Sequence, residues 1–307
     1  GDVYKRQFKR CVMYSEASMK CPSEKISFPF PQRIRILFLP NGSLFYGWWI
    51  VAVASFVLYL GSLFWIQSYG AYAVVFNREF GWSMTMLSAA YTLTRIESGL
   101  LGPVQGWMTD RYGPRIILSI GLLMHGIGLF CLTLVETLPV YFLTVIIISV
   151  GISLGGYQTL MVAIVNWFQR HRTKAIALTQ LGHSLGGLSV PMLAYGLEQF
   201  GWHTIAFASG LAAILLGIPL AQNIRHRPEE KDEVVDGKII GKNYKNLLEK
   251  NNEIVSDSWQ NALRTSAFWF ISTGHAIALL SVSSVLVHLI PHLTKTLDMG
   301  LTEAGMV

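Results

Sequence analysis

The sequence predicts an all-α membrane protein, on three observations. Only 14% of the 307 residues are charged while 52% are hydrophobic, against about a quarter charged in an ordinary soluble domain, and mean hydropathy is +0.43. Apolar runs long enough to cross a bilayer recur along the chain, a core of about 30 Å requiring about 20 residues of helix. The basic residues gather in alternate connections between those runs. Together these exclude an ordinary cytosolic enzyme, a nucleic-acid binder explained by the net charge of +6, and a disulfide-stapled secreted module. Cys11 and Cys21 sit in a polar tail and Cys131 in an apolar run; three cysteines are too few for a framework and read as ordinary thiols.

Seven spans are expected, at 48–76, 83–105, 116–136, 139–167, 174–197, 202–224 and 267–293. The first follows a tail of more than forty residues and is too long for a signal-peptide core, so it is a retained helix. Lys and Arg number eight in residues 1–46, two in 106–115, three in 168–174 and eight in 225–266, whereas the opposite side holds only Arg78 and Lys295. Positive residues stay cytoplasmic, so the N-terminus is expected inside a multi-pass protein of the inner or plasma membrane. The basic balance is a topology signal and implies no nucleic-acid partner.

Residues 225–266 carry eight basic and eight acidic side chains and read as a solvated tether with no chemistry of its own, in which Tyr244–Glu253 could form a short amphipathic helix. The stretch 34–39 could lie on the membrane surface, although a disordered tail fits better. Span one is entered by Phe45-Tyr46-Gly47-Trp48-Trp49 and followed by Gly81-Trp82-Ser83; span seven is entered by Ala267-Phe268-Trp269-Phe270 and followed by Gly300-Leu301-Thr302. Six spans, a tether and a restart in the same orientation are the layout of a parallel repeat. The chain opens without Met, with Met13 and Met19 as candidate starts, and stops where an eighth span should begin. It is therefore expected to be a fragment: a tail (1–46, of which 1–12 need not be native), a six-helix half (47–224), a linker (225–266) and the start of a second half (267–307), whose remainder is a missing partner.

Between spans two and three stands Gly106-Trp107-Met108-Thr109-Asp110-Arg111-Tyr112-Gly113-Pro114-Arg115. It resembles the G-x-L-x-D-R-x-G-R-[RK] loop of the major facilitator superfamily, departing from it at Met108 and Pro114. The resemblance covers residues 45 to 307 and implies a major facilitator fold with alternating access. Gly106 is expected to let helices approach, Gly113 to permit the turn, and Asp110 with Arg111 and Arg115 to form a gating cluster. Within the superfamily the chain resembles the monocarboxylate porter and oxalate/formate antiporter branches. The residues that carry this are Gly47-Trp48-Trp49, Gln67-Ser68-Tyr69-Gly70, the stretch Asn166–Arg172, Gly182…Gly186…Pro191 and Gly201-Trp202. Several eukaryotic monocarboxylate carriers have Lys at the Gln67 position, so simple lactate-type proton symport is not implied.

The polar residues inside the spans supply the candidate site. Arg95 lies mid-span, where a charge costs about 2.5–3.5 kcal/mol on insertion scales. Ser88, Thr92, Arg95, Gly99, Gly102 and Gly106 share one face, read as a packing face that turns Arg95 into the bundle. Its guanidinium awaits either a substrate carboxylate, held bidentately, or an acid on a neighbouring helix. Glu97 lies about 200° around the helix from Arg95 and is a proton-coupling candidate or a structural acid. Gln67, Tyr69, Tyr157, Gln158, Gln180, His183 and His275 are the remaining candidate substrate-binding residues. His125 reads as a core histidine, and Trp82 and Trp202 as interfacial anchors. His288 and His292 form an H-x-x-x-H pair with no third ligand in reach, so no metal is expected. No catalytic residues or cofactor are expected, and no G-x-x-x-x-G-K-[ST] loop is present. The expected function is secondary transport of a small mono- or dicarboxylate, driven by protons or anion exchange. An alternative is an exporter of drugs or hydrophobic metabolites, favouring bulky neutral substrates and little affected by Arg95→Ala. A transporter-shaped sensor is the alternative of another class.

Overall fold

The computed structural model describes residues 45–231, 233, 235–237 and 263–307. Cys11, Cys21, the stretch 34–39 and the amphipathic stretch 244–253 lie outside the described residues. Every regular element among those described is helical.

Helix α1, Tyr46–Phe80, widens into a π turn at Ser62–Ile66. There the Ser68 hydroxyl donates to the Leu63 carbonyl at 2.5 Å. Gly81 ends α1 in the left-handed region at φ 67°, and the Asn77 amide ties the turn to the Trp82 carbonyl at 2.6 Å. Ser83 then caps α2, Met84–Tyr112, accepting from the Met86 N–H at 3.3 Å. Gly113 (φ 81°) separates α2 from α3, Pro114–Leu132, whose first residue is a proline suited to the first helical position. Helix α4, Leu138–Trp167, is interrupted at Gly155-Gly156.

The continuous stretch Arg172–Ala221 breaks at Gly201 (φ 76°, ψ 157°), so it is two helices, α5 (172–200) and α6 (202–221). Helix α7 is Ser266–Thr296 and α8 is Leu301–Ala304. By length and composition α1, α3, α4, α7 and the stretch Arg172–Ala221 can cross a membrane. Helix α2 is as long but stands outside that group, because Arg95, Glu97 and its hydroxyls dilute its apolar content. Gly201 occupies a region that L-residues scarcely enter, whereas Gly81 sits in the milder left-handed well. Gly201→Ala is therefore expected to cost about 1–3 kcal/mol and Gly81→Ala about 1–2 kcal/mol, read as the ordering of their melting temperatures in detergent.

Glycine decides which helices meet. A Cβ on Gly182 would run into the Ser55 carbonyl of α1, and one on Gly186 into Ser62. Across the α3–α4 pair, Gly121 faces Gly155, Gly128 faces Ile148, and Gly151 faces His125. One expectation is corrected here. The Ser88–Gly106 face of α2 packs on no helix among the described residues: a Cβ on Gly99 or Gly106 would meet nothing within 4 Å, and one on Gly102 only the Gln158 amide at 4.0 Å. Small residues permit close approach without compelling it, and α2 instead buries Leu87, Ala90, Tyr91, Thr94, Gln105 and Thr109. Trp202 is likewise no interfacial anchor. It is 3% exposed, edge-on to Phe76 at 5.2 Å between ring centroids.

At the end of the bundle where α1 begins, the linker is more than a tether. The Tyr46 N–H donates to the Glu233 carboxylate at 3.1 Å, and Asp236 accepts the N–H groups of Gln169, Arg170 and His171 just before α5. At the opposite end, Glu198 accepts from the Leu301 N–H at 2.9 Å and the Thr302 hydroxyl at 2.6 Å, anchoring α8. Helix α7 is exposed throughout 263–282 and buries Val287, Ile290, Pro291, Leu293 and Thr294. The Leu286 carbonyl and the Ile290 side chain lie against Gly70 of α1. The contact between α7 and the six-helix body is thus concentrated at the Gly81–Gly201 end.

Candidate functional site

A cavity of about 450 Å³ opens between α1, α2, α4 and α5, with α7 on its far side. Of the eight candidate substrate-binding residues, Arg95, Tyr157, Gln158, Gln180, His183 and His275 line it. The π turn of α1 and the glycine break of α4 both border it: Ser62 and Ile66 belong to the former, Gly155 and Gly156 to the latter. Irregular backbone inside a membrane is tolerated where it lines a cavity, because water or ligand can meet the freed polar groups.

Gln67 stands behind this wall, its side-chain nitrogen 3.4 Å from the His183 Nε2, while the Ser62 hydroxyl donates to the His183 carbonyl at 2.9 Å. Tyr69 is elsewhere. It is fully buried, donates to the Leu87 carbonyl at 2.6 Å and shares a hydrogen bond with Tyr141 at 2.9 Å. Burial of a large ring with its hydroxyl satisfied by the neighbouring helix makes Tyr69 a strut between α1, α2 and α4, and it does not reach the cavity.

The Arg95 guanidinium donates to the Tyr91 hydroxyl and lies 4.9 Å from the centre of that ring. Among the described residues no carboxylate lies within ion-pair distance of it, and the Arg225–Glu230 pair at 4.0 Å is the one ion pair. Of the two sequence alternatives, a structural acid partner is not found among the described residues. Beside Arg95 a side pocket of about 50 Å³ extends between Trp65, Tyr91, Thr94 and Ser149, sharing Ile66, Arg95, Ser98 and Ile152 with the main cavity.

Glu97 points the other way, toward α4. One carboxylate oxygen accepts the hydroxyls of Ser149, Ser98 (3.3 Å) and Ser153 (3.4 Å); the other is buried without a partner. Two residues that sequence reasoning missed, Gln105 and Ser153, also border the cavity, as does His125, which it read as a core histidine. Gln105 is 2% exposed and donates to the Thr159 hydroxyl at 3.0 Å and to the Ser153 carbonyl. Ser153 belongs to the Glu97 cage. His125 is 2% exposed, with neither ring nitrogen hydrogen-bonded. In sequence these are isolated polar residues; the close α3–α4 contact places His125, and hydrogen bonds from α2 to α4 place Gln105.

In the 106–115 loop, Gly113 makes the turn, Gly106 faces open space, and Asp110 is exposed. Arg111 lies over the Trp107 and Tyr112 rings at 5.4 and 5.9 Å. Arg115 donates to the Gln222 amide oxygen at 2.7 Å, pinning the start of α3 to the end of α6.

The sequence model of the Major Facilitator Superfamily matches residues 51–307. The chain is 26% identical over 186 residues to a fujikurins efflux protein of Gibberella fujikuroi, a match covering 60% of this chain and 40% of that one. It is 28% identical over 198 residues to an MFS-type transporter of Penicillium oxalicum, covering 62% and 46%. The chain thus spans less than half the length of these relatives. Among solved structures, an inward-facing bacterial homolog of the human lysosomal transporter Spinster superposes with a TM-score of 0.64 at 17% identity, covering 85% of this chain and 58% of the other. The inward-open xylose transporter XylE of E. coli gives 0.60 at 18%, covering 83% and 66%. With a family match over most of its length and the same helical fold, this chain belongs to the Major Facilitator Superfamily.

Proposed function

We propose that the protein is a secondary transporter that exports an apolar or amphipathic organic molecule by alternating access. The observation that carries this reading is the cavity itself. At about 450 Å³ it falls in the range of sites for drug-sized ligands, and Val57, Leu58, Leu122, Ile152 and Leu279 on its wall offer little to a small dicarboxylate. The similarity to efflux proteins supports export of such a molecule over transport of a small mono- or dicarboxylate, the first expectation from sequence.

In this reading the N-terminus is cytoplasmic, following the basic connections, and the structure is an inward-open state with α7 and α8 closing the outer end. Asp110, Arg111 and Arg115 sit at the inner gate. Glu97, caged by three hydroxyls beside the cavity, carries the coupling proton. The test is accumulation of a panel of fluorescent hydrophobic compounds in cells with and without the full-length gene. Reduced accumulation of at least one compound, restored by a protonophore, is expected. Equal accumulation of every compound, together with concentrative uptake of labelled oxalate or lactate, would overturn export in favour of small-acid transport.

A further inference from the structure

We infer that the exported molecule is an organic monoacid of drug-like size, with its carboxylate seated in the side pocket at Arg95 and its apolar body in the main cavity. The inference rests on the transporter reading above and names the substrate class of that same cavity. Three features of the site carry it.

The first is charge. Arg95 is a cation in the interior of a membrane helix with no acid beside it among the described residues. Tyr91 engages the guanidinium, and Arg95 lines both the side pocket and the main cavity. A planar carboxylate is the anion that such a fork meets with two parallel hydrogen bonds.

The second is size. The side pocket, about 50 Å³, suits one small polar group, a water's share of liquid being about 30 Å³. Trp65, Thr94 and Ile152 border it, and the Ser98 and Ser149 hydroxyls on its wall are already engaged with Glu97. The ninefold larger main cavity adjoins it, the two sharing Ile66, Arg95, Ser98 and Ile152.

The third is the count of charges. Apart from Arg95, the cavity wall carries amides and imidazoles, Gln158, Gln180, His183 and His275 among them, and no other Lys or Arg among the described residues. A second carboxylate on the ligand would be desolvated without a counter-charge, an arrangement that costs more than it returns. The site therefore selects one acid and an apolar body, which joins the two alternatives that sequence kept apart, the carboxylate carrier and the hydrophobic exporter.

The test uses the purified full-length protein in nanodiscs and three probes: 1-pyrenebutyric acid, its primary amide, and a pyrenylmethyl malonate. Binding is read at equilibrium by pyrene fluorescence, with empty nanodiscs subtracted. A charge-assisted contact of about 1.5–3 kcal/mol predicts that the acid binds at least about tenfold more tightly than the amide. The malonate is expected to bind more weakly than the monoacid. In Arg95→Gln the acid should fall to the level of the amide while amide binding persists, which shows that the variant is folded; Arg95→Lys should restore part of the preference. Equal binding of acid and amide by the wild type overturns the inference, as does an acid preference that survives in Arg95→Gln. Tighter binding of the malonate overturns the single-acid assignment, and binding of none of the probes overturns the apolar-body assignment. No gradient is involved, so a failure of export in cells leaves the binding result standing, and loss of the acid preference leaves export standing.

Discussion

Gly182→Ala is expected to lower the stability of the full-length protein in detergent by about 3 kcal/mol, at the upper end of ordinary overpacking penalties. The new methyl would occupy the space of the Ser55 carbonyl, a backbone atom with no rotamer to escape into. Helix α5 would have to move away from α1, and with it the Gly186–Ser62 contact and the His183–Gln67 pair one turn further along. The matched control is Gly99→Ala. Nothing stands within 4 Å of that position, and alanine is the better helix former, so its melting temperature should stay within that expected for a shift of about 0.5 kcal/mol. Equal effects at the two positions would mean that the α1–α5 seam is not as close as the structure has it.

Glu97→Gln is the second large effect, and it separates coupling from folding. The amide oxygen can still accept the hydroxyls that converge from Ser98, Ser149 and Ser153, so the protein should be made and purified in near wild-type amounts. The side chain can no longer take up and release a proton between pH 4 and 10. Uphill efflux driven by an imposed pH gradient is expected to fall by about tenfold or more, in line with loss of a positioned acid–base group, while downhill exchange of the same solute persists. Glu97→Ala leaves three hydroxyls without their acceptor and should cost about 1–3 kcal/mol in stability. Wild-type uphill efflux by Glu97→Gln would remove Glu97 from the coupling path.

Most of the fold is legible in the sequence because a bilayer allows few solutions. Backbone groups must be satisfied within each helix, so apolar length marks the spans, while Gly81, Gly113 and Gly201 mark the turns. The alternation of basic connections is the basis of the proposed order of sides. Helical spacing also distinguishes the two faces of α5: Thr179, Gly182 and Gly186 are buried, while Gln180 and His183 face the cavity. Spacing fails where a residue's surroundings come from distant chain. Gly99, Gly102 and Gly106 have the same pattern as the α5 seam, yet no helix meets them among the described residues. Gln67 and Tyr69 are two residues apart, which on a helix turns them to nearly opposite faces, so Gln67 packs against His183 and Tyr69 against Tyr141. His125 and Gln105 carry no local signal, since their positions depend on how α3 and α2 respectively pack on α4. The Glu233 and Asp236 contacts are equally invisible, because balanced charge in a linker does not say which carboxylate finds a helix start.

The central claim is that the cavity opens alternately at its two ends. Distances between spin labels on the full-length protein test it most directly. One pair, Glu79→Cys with Lys295→Cys, spans the end proposed as outer, where α7 meets α1; the other, Ala52→Cys with Ile271→Cys, spans the end proposed as inner, where α7 is exposed. All four positions lie on the surface. The account predicts a short outer and a long inner distance in the resting state, and a second population in which the outer pair lengthens as the inner pair shortens when transported solute or a change of pH is applied. If both distances change together, or if neither moves while transport is running, the alternating-access account is contradicted.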